Sequence, residues 1–142
     1  MKALIITNNP KVNIEKANMT LLCKNLEIEY REDAEQDEIL KLARDRIHLG
    51  AKLVIHPMMG RIKPHETPYK SVFLEIPDDK KSSPDNFSSD VTSIMIIEES
   101  IAETLKFLNN TYRKKYDESF LPDLQYLDYL LLIEGLKEYS NG

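Results

Sequence analysis

The alternation of extended and helical patterns over the first 56 residues is the tightest constraint on this chain. Ala3-Leu4-Ile5-Ile6 is a compact apolar run, stopped by the turn formers Thr7-Asn8-Asn9-Pro10. A helical stretch follows from about Pro10 to Lys24. Leu26 to Tyr30 then alternates apolar and acidic residues, the period of a half-exposed edge strand. Asp33 precedes a charged helix running to Leu49, with Ile39, Leu40, Ala43 and Ile47 at helical spacing. Gly50 suits the left-handed position just past a helix, and Leu53-Val54-Ile55 reads as a short strand covered on both faces. Strand, helix, strand, helix, strand predicts parallel strands joined by right-handed crossovers. Beyond them, Ser71 to Ile76 predicts a fourth strand of open direction. The spacing of Ile94, Ile97, Ile101, Leu105 and Leu108 predicts a helix to about Asn109, with Asp90 or Ser89 as its cap.

The expected fold is one small layered α/β domain, Rossmann-like or flavodoxin-like, with about four mostly parallel strands flanked by helices. Its core spans residues 1–110, and a C-terminal helical extension covers residues 111–142. A polar, Ser-rich surface connection holding Lys80, Lys81 and Pro84 is expected from Pro77 to Asp90, and a charged connector from Thr111 to Glu118. Pro122 fits the first turn of a last helix through about Tyr139, which carries apolar or aromatic residues on nearly every side. Such a helix is expected either to pair two copies of the chain as a homodimer or to pack within its own chain.

A chain of 142 residues buries roughly 70% of its unfolded surface without a metal or disulfide to hold it. A net charge of −5 argues against a nucleic-acid binder. No apolar stretch reaches the length of a membrane span, and the N-terminus lacks a signal-peptide core, so cytoplasmic residence is expected. Cys23 is the single cysteine, expected as a free buried thiol. Neither G-x-G-x-x-G nor G-x-x-x-x-G-K-[ST] occurs, which disfavours dinucleotide and P-loop sites. No cofactor is expected.

Candidate chemistry gathers between His48 and Ser71. Pro57, Pro64 and Pro68 stiffen a long loop without building regular structure in it. That loop carries His56, Arg61, Lys63, Glu66, Thr67, Tyr69, Lys70 and Ser71. If the first and third strands were neighbours, His56 would stand beside Thr7, Asn8 and Asn9 at the carboxyl edge of the sheet. Lys63, Lys70 and Arg61 would attract a carboxylate or phosphate there, with Asn8 and Asn9 either donating to the anion or capping the next helix. Alternatively, His56 and Tyr69 bond loop carbonyls and the prolines only stiffen a crossover. His56, His65 and Glu66 match no compact metal motif, and neither Ser71 nor Cys23 has an assignable triad.

Thr7-Asn8-Asn9-Pro10, His48-Leu49-Gly50, His56-Pro57 with Gly60, and Lys63-Pro64 followed by Glu66-Thr67-Pro68-Tyr69-Lys70-Ser71 together resemble the GrdX family. The resemblance covers roughly residues 2–110. It implies a cytoplasmic accessory role beside the glycine, sarcosine and betaine reductases of anaerobic bacteria, with reductase subunits as potential partners. It brings no established activity. Two readings follow: an accessory protein whose loop takes a partner or a small anionic ligand, or a small enzyme acting on an anionic metabolite with His56 as acid or base.

Overall fold

A computed structural model describes residues 2–60, 62–78, 90–109 and 116–141. Arg61, most of the connection expected from Pro77 to Asp90, the Ser89 cap and residues 110–115 lie outside the described residues. The elements are β1 (Lys2–Thr7), α1 (Pro10–Ile14), α2 (Lys16–Leu22), β2 (Leu26–Tyr30), α3 (Gln36–His48), β3 (Lys52–Leu53), β4 (Ser71–Ile76), α4 (Val91–Asn109) and α5 (Leu121–Asn141). Short 3₁₀ turns cover Pro64–Glu66 and Glu118–Phe120.

Each element starts and stops where its residues dictate. Asn9 accepts the Lys11 backbone N–H at 3.0 Å and so caps α1, the commoner of its two expected roles. The single helix expected from Pro10 to Lys24 is instead two, broken at Glu15. The charged helix begins a few residues after Asp33, where the Glu35 backbone N–H donates to the Glu38 carboxylate at 3.2 Å. Gly50 closes that helix with φ +111°.

The sheet order is β2-β1-β4-β3. β1 pairs parallel with β2, the expected edge strand, whereas β4 is antiparallel to both β1 and β3. β1, β2 and β3 therefore point the same way, as the alternation predicts, but β4 returns between β1 and β3. This corrects the mostly parallel ladder: the sheet is mixed, with one parallel pair. β3 is also shorter than expected. Only Lys52 and Leu53 pair, Val54 donates one further bond to Phe73 at 3.0 Å, and the chain leaves the sheet at His56-Pro57.

Both sheet faces are covered. Leu4, Ile6, Val72 and Leu74 pack on one side against Ile39, Leu40, Ala43 and Ile47 of α3 and Ile97 and Ile101 of α4. Ala3, Ile5 and Phe73 face the other side and meet Val12, Met19 and Cys23, together with Leu132 and Leu136 of α5. Alternation along β1 and β4 thus feeds two cores, and the free thiol of Cys23 is buried in the second. α5 is a wall of this second layer. Ser140 ties its end to the Leu22 carbonyl at 2.6 Å. Among the described residues no helix is long and apolar enough to cross a membrane.

Candidate functional site

The antiparallel return of β4 decides which polar groups meet at the carboxyl end of β1. Thr7 is paired with Ser71, and their hydroxyls lie 2.6 Å apart. The Thr7 oxygen also accepts the Asn9 backbone N–H at 2.9 Å, and the Ser71 hydroxyl donates to Asp128 Oδ2 at 2.6 Å. Hydroxyl polarity therefore runs from Thr7 through Ser71 to the carboxylate. Asn9 Nδ2 adds a second bond to Asp128 Oδ2 at 2.9 Å and another to the Gln125 carbonyl at 2.9 Å. The start of β4 and the cap of α1 thus hold one side of the Asp128 carboxylate, while Oδ1 accepts no hydrogen bond among the described residues.

Lys70 lies next to this network. Its ammonium donates to the Pro57 carbonyl at 2.8 Å and sits 3.7 Å from the Met58 sulfur. No ion pair joins Lys70 to Asp128 among the described residues. Burial pushes the Lys70 amine down, opposed by the charges of Asp128 and Glu103. Burial likewise raises the Asp128 carboxyl, opposed by the bonds from Ser71 and Asn9 and by the Lys70 charge. Desolvation leads in both, because each charge has exchanged water for only partial compensation.

Both side chains line a cavity of about 500 Å³ between α5 and the loop that follows β3. Thr67, Tyr69 and Ser71 contribute polar groups beside them. Ile55, Phe73, Leu124, Leu127 and Leu131 make much of the rest apolar. A few convergent polar groups on an apolar wall are the usual composition of a small-molecule site.

The candidate residues divide. Lys70, Ser71, Thr67, Tyr69 and His56 all line the cavity, with His56 exposed and its Nδ1 accepting the Met58 backbone N–H at 3.1 Å. His56 does not stand beside Thr7 and Asn8, because β4 occupies that position. Asn8 holds the fold instead: its side chain donates to the Ala34 and Pro68 carbonyls at 2.9 and 3.0 Å and accepts the Lys70 backbone N–H at 2.8 Å. Thr67 accepts the Tyr69 backbone N–H at 3.2 Å, and the Tyr69 hydroxyl accepts from Gln125 at 2.7 Å. Lys63 and Glu66 do not line the cavity. Glu66 accepts the Lys63 backbone N–H at 3.0 Å, and the Lys63 ammonium stands 5.5 Å from the Phe107 ring, on which His65 is also stacked. Among the described residues no three His, Cys, Asp or Glu side chains are grouped to hold a metal ion.

A model of the family described as GrdX-like protein matches residues 4–137. The chain belongs to the GrdX family. No curated protein and no solved structure matches it. The GrdX match runs well past residue 110, where the resemblance carried by the loop motifs stops, and takes in α5 with Asp128. Gln125 and Asp128 are the site residues that motif reading missed. The available signal was a lone carboxylate inside Tyr126-Leu127-Asp128-Tyr129-Leu130, where an acid on an otherwise apolar stretch needs a partner.

Proposed function

We propose that this GrdX-family chain is a cytoplasmic accessory protein of the glycine, sarcosine and betaine reductase systems, working by binding a small ligand in the cavity under α5. The observation that carries the reading is Lys70: a desolvated ammonium in a largely apolar wall, bonded among the described residues to a carbonyl and a sulfur. Such a group favours an anionic partner brought in by a ligand. Titration calorimetry with a panel of small carboxylates is expected to find binding that Lys70→Met weakens by about tenfold or more. Binding unchanged in that variant, or absent across the panel, overturns the reading.

His56 at the cavity supports a second reading, in which it serves as acid or base in a small enzyme. Turnover of a bound carboxylate, lost in His56→Ala with binding retained, would establish it. A homodimer through the exposed side of α5 is part of the proposal, with reductase subunits as potential partners.

A further inference from the structure

Lys70 and Asp128 both line the cavity under α5. The two are opposite charges in one cavity wall, each driven away from its ordinary pKa by desolvation, and no ion pair joins them among the described residues. Had the fold used them to neutralise each other, a direct contact would be the economical arrangement. Instead the ammonium is turned onto Pro57 and Met58, and the carboxylate is held by Ser71 and Asn9 through Oδ2 alone. The bonds to Asp128 come from two separate stretches of chain, Ser71 at the start of β4 and Asn9 at the α1 cap, and Thr7 at the end of β1 braces both. A carboxylate fixed in this way stays where it is when a ligand enters.

From this geometry we infer that the cavity takes a zwitterion: a small molecule with a carboxylate for Lys70, an ammonium for Asp128 and an apolar substituent, as in an aliphatic α-amino acid. The inference rests on the reading of the cavity as an anion-accepting ligand site. A simple anion meets Lys70 but is repelled by Asp128, and a simple amine meets the reverse. A zwitterion answers both charges and adds no net charge to a desolvated wall. Its substituent faces Ile55, Phe73, Leu124, Leu127 and Leu131. About 500 Å³ exceeds what the amino-acid head group alone would fill, so an aliphatic side chain has room.

Three probes of matched shape test the inference by titration calorimetry on the full chain: L-leucine, 4-methylpentanoate, which lacks the ammonium, and 3-methylbutylamine, which lacks the carboxylate. Leucine is expected to bind about tenfold more tightly than either. In Asp128→Asn, whose amide oxygen can still accept from Ser71 and Asn9, the preference for leucine over 4-methylpentanoate is expected to fall to within about twofold. Circular dichroism of the variant separates lost selectivity from lost structure, and unfolding of this variant directs the same test to Asp128→Glu, expected to weaken leucine selectively. Equal or tighter binding of 4-methylpentanoate by the wild type overturns the zwitterion while leaving the anion site standing. Binding of neither carboxylate overturns both.

Discussion

At the scale of the residue, the carboxylate of Asp128 is costly to the fold. Burial raises its pKa, so the folded chain holds the proton more tightly than the unfolded chain does. The stabilisation this gives is complete at low pH and is lost as the pH rises through the raised value. Ionising the group therefore costs the folded chain more than the unfolded one, even with the Lys70 attraction included. Asp128→Asn is expected to melt about 2–4 °C above the wild type at neutral pH, with the difference closing once the pH falls below the ordinary carboxyl range. A variant that melts lower at neutral pH would count against the burial account. Lys70 and Ser71 were legible in the sequence because they sit in a proline-framed loop beside other reactive groups. Asp128 was not, because its partners Asn9 and Ser71 lie 119 and 57 residues away and only the third dimension brings them together.

At the scale of the element, α5 reaches the sheet through a glycine. A Cβ at Gly135 would stand 2.1 Å from Ile55 Cδ1 and 3.1 Å from its Cγ1, so a side chain at this position requires that of Ile55 to move. Gly135→Ala must displace Ile55, which lines the cavity. A cost of about 1–3 kcal/mol is expected, read as a lower urea midpoint at unchanged slope, together with weaker binding of whichever probe the cavity takes. An unchanged midpoint would mean that moving Ile55 costs no more than the roughly 1 kcal/mol that alanine gains over glycine inside a helix. The elements themselves were largely legible: β1, β2, β4 and α4 follow from periodicity, and Gly50 from the turn that it makes. The place of β4 was not, since alternation fixes which face a residue takes but not which strand lies beside it. That gap carried His56 to the wrong neighbours in the sequence reading.

At the scale of the whole molecule, α5 serves two surfaces. Leu132 and Leu136 close the second core, while Tyr126 remains 51% exposed and Leu127 and Leu131, which also line the cavity, remain 45% and 38% exposed. Two copies joined across that side would hide an apolar surface, so sedimentation equilibrium at micromolar concentration is expected to give twice the 16.5 kDa chain mass. A monomer mass would remove the dimer from the proposal. The sheet order has a different outcome, felt during synthesis. The chain makes β1 and β3 before it makes the strand that lies between them, and Thr7 waits for Ser71, 64 residues later. A nascent chain that has passed β3 but not β4 exposes a strand-wide gap whose backbone donors and acceptors suit any extended peptide nearby. Translation pausing in that interval would prolong the exposure of an unfilled slot that the finished protein never shows.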